Sequence, residues 1–342
     1  MRIALRPLLF LVLLVAAACS GSAPRGAALA QEQPVQIKST IIPLKLDDPA
    51  ATEVSRLIWR GGVSLSANSA LFGGWSDLHV APDGRSLKSV SDVGGWLVAA
   101  IEYDARGNLA GLGPAQVGKL HGLDGKPLTS KRDADAEAMA RLPDGSWLVG
   151  FEQRHRIWRY PAGDEAAGKG LAGTPAPIEG PPQLTRQPTN GGLEAMTALG
   201  DGRVVMLSEE YSEVGGTTMG WIGEPVGDGF RWSSFHYATI PDFRMTAVAP
   251  LPDGSLVTLE RAFDMVRGVR VRVMHFDARQ LVAGGTVRAD ELARLATPYA
   301  VDNLEGISAT RGPRGEMLLW LISDDNFNAL QRTILLLFEL AK

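Results

Sequence analysis

From residue 76 onward the apolar positions fall in short runs, cut by Gly, Pro and Asp and without a sustained helical period. The stretch 133–161 shows the layout. Glu137 leads the run Ala138-Met139-Ala140, Pro143-Asp144-Gly145 makes a turn, Trp147 to Phe151 forms a second run ending at Glu152, and Ile157 to Tyr160 forms a third. Short runs joined by Gly turns predict a β-meander. The layout recurs: Ser76 to Tyr103, Leu193 to Glu210, Met245 to Phe276 and Asn303 to Leu340 repeat it. The Asp of an Asp-Gly turn falls at 83, 144, 201 and 253, and the fifth unit uses Gly312-Pro313-Arg314-Gly315 instead. Steps of this size suit the four-stranded blades of an all-β propeller. Phe235 to Ile240 and Glu291 to Ala296 are candidates for fourth strands. The fifth unit runs out of chain after its third strand, and Leu57 to Leu65 is placed to fill the gap and close the ring. The expectation is five blades. A sixth, degenerate blade built partly from residues 36–66 is the alternative.

In such a blade the start of the first strand and the end of the second share one end of the hairpin, and the first strand lines the channel. Aligned on the turns, the first position reads Ser76, Glu137, Glu194, Thr246 and Glu305. The second reads Asp92, Glu152, Glu209, Glu260 and Asp324. Eight of these ten are carboxylates in a chain with 38 acids among 342 residues, so the excess belongs to the positions, not to composition. Acids gathered at one mouth persist when protonated, paired with Arg, or bridged by a cation. Arg154, Arg156, Arg244, Arg261 and Arg332 lie close enough in sequence to pair with them, which keeps a purely structural role open beside a metal site and a metal-free acid–base site. Hard oxygen donors select Ca²⁺ or Mg²⁺ over zinc.

Other chemistry recedes. Gly74-Trp75-Ser76-Asp77-Leu78 and Gly306-Ile307-Ser308-Ala309-Thr310 both lack the last Gly of a nucleophile elbow. The five His residues stand singly, with no zinc spacing. Trp75, Trp96, Trp147, Trp158 and Trp320 sit in or beside predicted strands and are expected in the core. A formal net charge of −4 argues against nucleic acid as a partner.

The N-terminus reads as an export segment. A charged start, Met1 to Arg6, precedes an apolar stretch, Leu8 to Ala18, that is too short for a transmembrane span. Ala28-Leu29-Ala30 has the form of a signal-peptidase site, giving a signal peptide over 1–30. Alternatively Ala16-Ala17-Ala18-Cys19 is a lipobox, with 1–18 removed and Cys19, the only cysteine, carrying a lipid anchor. Residues 19–35 then form a flexible tether and 36–342 the folded domain. The expected location is the periplasm or, lipid-anchored, the cell envelope. Oligomeric state has no signature in the chain.

The set Asp135-x-Glu137-Ala138-Met139, Asn190-Gly191-Gly192-Leu193-Glu194-Ala195, Ser208-Glu209, Asn303-Leu304-Glu305-Gly306 and Ser323-Asp324-Asp325-Asn326-Phe327 resembles the bacterial phytase-like domain, esterase-like activity of phytase, from about Gly73 to the C-terminus. The resemblance implies an exported, repeat-built phosphoester hydrolase acting on a small phosphorylated substrate. Glu137, Glu194 and Glu305 are then catalytic candidates, Asp92, Glu152, Glu209, Glu260 and Asp324 candidate Ca²⁺ ligands, and Arg154 and Arg261 candidate phosphate ligands. Ser76-Asp77 and Thr246 stand where the pattern has a leading Glu. A non-catalytic propeller binding a ligand or partner in the envelope is the alternative.

Overall fold

The computed structural model describes residues 32–164 and 166–341. The signal-peptide and lipidation expectations for residues 1–30 lie outside them. Four strands precede the repeats: β1 (Glu32–Val35), β2 (Ile37–Ile41), β3 (Glu53–Val54) and β4 (Leu57–Ala67). Blade one is β5 (Trp75–Val80), β6 (Ser86–Ser91), β7 (Gly95–Tyr103) and β8 (Leu109–Lys119), with β1 added outside β8. A single helical turn, α1 (Lys131–Ala134), leads into blade two: β9 (Ala136–Arg141), β10 (Trp147–Phe151), β11 (Arg156–Tyr160) and β12 (Ala176–Ile178). Blade three is β13 (Leu193–Ala198), β14 (Val204–Ser208), β15 (Thr217–Val226) and β16 (Gly229–Ala238). Blade four holds β17 (Arg244–Pro250), β18 (Leu256–Asp264), β19 (Gly268–Phe276) and, after the short β20 (Thr286–Val287) that pairs back on β16, β21 (Asp290–Ala296). Blade five is β22 (Asn303–Arg311), β23 (Met317–Asp324) and β24 (Thr333–Leu340).

The described chain is a five-bladed β-propeller. β4 pairs antiparallel with β24, Leu335 opposite Val63, and β2 pairs outside β4. The N-terminal strand therefore closes the ring, and residues 37–67 complete blade five; they do not build a sixth blade. Glu32–Val35, expected within the tether, instead pairs with Ala115–Gly118 of β8. The inner strands β5, β9, β13, β17 and β22 neighbour one another around the axis.

The repeated turns have a local cause. The Asp of each Asp-Gly pair accepts a hydrogen bond from the backbone N–H two residues on: Arg85, Ser146, Arg203 and Ser255 donate to Asp83, Asp144, Asp201 and Asp253. The next residue must be left-handed, as at Gly145 (φ 82°). In blade five Gly315 (φ 84°) keeps that geometry while the Glu316 carboxylate, from one residue beyond, accepts from Arg314 N–H. Between blades the sheets bury apolar faces. Trp75, Trp96, Trp147 and Trp320 are fully buried, as expected of core residues.

If β4 is an integral blade strand, its core residues carry ordinary core energies. Leu65, packed with Leu335 and Leu337, is expected to cost about 2–5 kcal/mol on Leu65→Ala, comparable with Leu335→Ala. Urea denaturation midpoints of the two variants measure this; a near-neutral Leu65→Ala would show that the ring is closed without it.

Candidate functional site

Every inner strand carries a β-bulge at the same place. Pairing with the second strand skips Ser76 between Trp75 and Asp77, Glu137 between Ala136 and Ala138, Glu194 between Leu193 and Ala195, Thr246 between Met245 and Ala247, and Glu305 between Leu304 and Gly306. A bulge places two residues opposite one and re-aims a side chain. The five bulge residues are the first position named from the sequence. In four blades they stand seven residues before the turn Asp.

The second position follows the same register. Trp75, Ala136, Leu193, Met245 and Leu304 lie opposite Ser91, Phe151, Ser208, Glu260 and Ser323. The next residues are Asp92, Glu152, Glu209, Arg261 and Asp324. Blade four thus puts Arg261 where the other blades have an acid, and the sequence alignment on Glu260 is one residue short. Glu260 is buried, takes Arg272 Nη1 at 2.6 Å and the Tyr237 hydroxyl at 2.9 Å, and serves that internal pair. The signal was present in the spacing: Glu152 and Glu209 lie eight residues after the turn Asp, and so does Arg261.

The structure brings Glu137, Glu194 and Glu305 together. Burial pushes the Glu137 carboxyl well up, with Glu194, Asp135 and Glu305 adding to it. Burial does the same to Glu194, helped by Glu209, Glu152 and Glu305 and opposed by Arg261. Burial carries Glu305 up to about 7 against the pull of Arg261 and of the Asn303 amide, which donates to its Oε1 at 2.8 Å. Asp324 is pushed up to about 8 by burial, then by Glu305. Asp92, Glu152 and Glu209 are raised as well, each first by burial. The two hydroxyl positions are bonded to backbone: Thr246 Oγ1 donates to Leu304 O in the next blade, and Ser76 Oγ to Gly74 O. Asp77, beside Ser76, accepts from Met139 N–H at 2.6 Å and ties blade one to blade two.

Cations offset part of this charge. Lys131 Nζ bridges Asp92 and Asp135. Arg261 Nη2 lies 3.4 Å from Glu305 and 3.8 Å from Glu209, outside close pairing, and its Nε is buried without a hydrogen-bond partner among the described residues. Arg154 is turned outward, half exposed and paired with Asp133, so it stands on the rim. Arg244 pairs with Glu210, Arg332 with Asp302, and Arg156 stacks on Phe151 and Trp158. His155 Nε2 lies 2.8 Å from Pro188 O.

One group fits a hard cation. Asp135, Glu137 and Glu152 each offer an oxygen, and these lie within 4.8 Å of one another. An ion about 2.4 Å from each ligand needs oxygens no farther apart than about 4.8 Å. The sequence offers Asp135 only as part of the motif Asp135-x-Glu137-Ala138-Met139; α1 and its bond from Gln153 Nε2 hold it there. Glu152 is fixed by Gly191 and Gly192 N–H, both donating to Oε1 at 2.6 Å. The other end of the channel holds a cavity of about 400 Å³ among Met139, Met196, Val248 and Ile307, largely apolar.

Fold and site together define a β-propeller with a carboxylate cluster at one channel mouth. The chain belongs to the phytase-like family, esterase-like activity of phytase, whose model matches residues 70–327. No curated protein matches it. Two solved structures are distantly similar: a protein of unknown function from Bacteroides caccae (11% identity, 75% of this chain and 70% of that one, TM-score 0.32) and a presumed gluconolactonase (12%, 90% and 94%, TM-score 0.40).

The raised carboxyls fix the sign of a pH effect. A carboxyl with a raised folded-state pKa contributes stability below its unfolded value, near 4.3, that is lost as pH rises through the folded value. In chelator, the melting temperature is expected to fall from pH 5 to pH 8, through the values of Glu305 and Asp324. Glu305→Gln is expected to flatten that fall and to be the more stable protein at pH 8, on the order of 1–3 kcal/mol. Thermal scans across pH read both; a flat wild-type profile would contradict the assignment.

Proposed function

We propose that the protein is an exported phosphoester hydrolase that uses Ca²⁺, or Mg²⁺, at the propeller mouth. The observation that carries the reading is the pairing of a cation-sized oxygen group, Asp135, Glu137 and Glu152, with a partly unsatisfied guanidinium, Arg261, on the same mouth. Family membership supports ester hydrolysis as the reaction class. Asp135, Glu137 and Glu152 would hold the ion, with Glu194 next to them. A bound divalent cation supplies Lewis acidity toward the phosphoester and offsets its charge. Burial favours the protonated form of Glu137, so affinity for a divalent cation would rise with pH.

The chain's own residues supply the rest. Arg261, whose Nε has no hydrogen-bond partner among the described residues, would bind non-bridging phosphate oxygens. Glu305, raised by burial to about 7 beside Arg261, would give a proton to the ester oxygen as water adds to phosphorus and the P–O bond breaks, and the proton released by that water would pass to a neighbouring carboxylate and restore the balance. Asp135, Glu137, Glu152 and Asp324 are buried, which would favour small substrates that reach into the mouth. Export follows from the N-terminal segment, whose short apolar stretch and small-residue sites motivate it.

Purified protein with millimolar Ca²⁺ is expected to hydrolyse p-nitrophenyl phosphate, its diester analogue or phytate, and to lose turnover with chelator. Glu137→Gln is expected to lower kcat/KM about 10²-fold or more and to weaken Ca²⁺ binding by calorimetry, while Arg261→Ala raises KM. No cleavage of any of these esters, with or without either metal, would leave a ligand-binding propeller as the better reading.

A further inference from the structure

The end of the propeller that carries the carboxylates also carries the most exposed apolar side chains. Met265 and Val266 are 90% and 94% exposed and Leu330 is 91% exposed; no other large apolar side chain among the described residues exceeds 73%. All three lie in connections from a second to a third strand, β18–β19 and β23–β24, which by hairpin geometry sit at the mouth end. Blades four and five are neighbours, so the two tips rise from adjacent blades at the same end, each flanked by a further exposed aromatic, Phe263 and Phe327. β18 continues from Arg261 at the mouth to Asp264, which lifts the first tip about 10 Å above the carboxylates at about 3.3 Å per residue. Apolar side chains on the opposite end, such as Val226 and Val282, stand singly on separate elements.

A second observation concerns where the chain enters. Glu32 pairs with Gly118, one residue from the mouth end of β8. Glu32, the first described residue, therefore stands at this same end, and the apolar stretch 8–18 and Cys19 precede it in the sequence. We infer that the mouth end is a docking face for a lipid bilayer surface, with the 263–268 hairpin and the 327–330 loop inserting Met265, Val266 and Leu330 among the lipids. Tips of this kind gain from burying apolar area at the interface and need no anionic lipid, in keeping with a chain of net charge −4. The face requires no particular reaction at the mouth, so it stands apart from phosphoester hydrolysis.

The test uses the full chain with Cys19→Ser, so that no lipid can be attached and a single new thiol can be labelled. An environment-sensitive fluorophore at position 265 (Met265→Cys) is expected to shift to the blue on addition of neutral phosphatidylcholine vesicles, with brominated lipid quenching it. The same label at position 228 (Asp228→Cys), in the opposite-end β15–β16 turn, is expected to stay unchanged. The shift should survive 0.5 M salt, and Leu330→Asp with Val266→Asp should lower the vesicle-bound fraction about tenfold. No shift at 265, or equal shifts at both positions, overturns the inference. So does a shift that appears with protein concentration alone, which would assign the face to a second copy of the chain.

Discussion

The extra residue at the head of each inner strand is the constraint on which this site depends. Without it, strict alternation would set each lead residue on a face packed against the next blade, where a carboxylate has no room or solvation. The bulge removes that residue from the ladder in all five blades and leaves the apolar pattern on either side in register. Ala138, Ala195 and Ala247 can therefore pack between blades while Glu137, Glu194 and Thr246 leave the ladder. The fold supplies the position, and the residue type decides what each blade does with it.

Holding so many acids together costs stability, and the compensation is uneven. Where the lead residue is a hydroxyl, it is spent on the backbone, as Thr246 is on Leu304 O. Glu152 has two backbone N–H donors and Asp135 has Lys131 and Gln153. Glu137 and Glu194 have the least direct help, and burial with their acidic neighbours pushes both carboxyls well up. A proton, or a cation in its place, is the remaining way to neutralise them. Purely structural pairing would have saturated these acids with close Arg partners; most of the neighbouring arginines pair with other acids instead, Arg154 with Asp133 and Arg332 with Asp302.

Much of this was legible in the chain. The Asp-Gly turns mark the hairpins because an Asx hydrogen bond and a left-handed residue are local requirements. The missing strand of the last blade was legible because open sheet edges are unfavourable and Leu57 to Leu65 was left over. The exception in blade four was harder to see. Glu260 and Arg261 are adjacent, and matching residue types favoured the acid, whereas the bulge fixes the count and selects Arg261. Matching the repeats by residue type fails where one repeat changes sign. The first strand, Glu32–Val35, was illegible for another reason: an edge strand satisfied by main-chain bonds to β8 needs no apolar pattern of its own.

That change of sign gives the mouth a direction. Going round the ring, the lead residues read Ser, Glu, Glu, Thr, Glu and the second positions Asp, Glu, Glu, Arg, Asp. Blades two and three thus concentrate negative charge, and blade four, with Thr246 and Arg261, has none. A symmetric ring of acids would attract cations and repel an anionic ester from every side. Here the cation-sized oxygen group lies on blade two and the guanidinium on blade four, with Glu305 of blade five adjoining the Arg. The departures from a full ring of Glu therefore do more than weaken an acidic site. They give the two sides of the mouth opposite charge preferences, which a full ring of acids would not have.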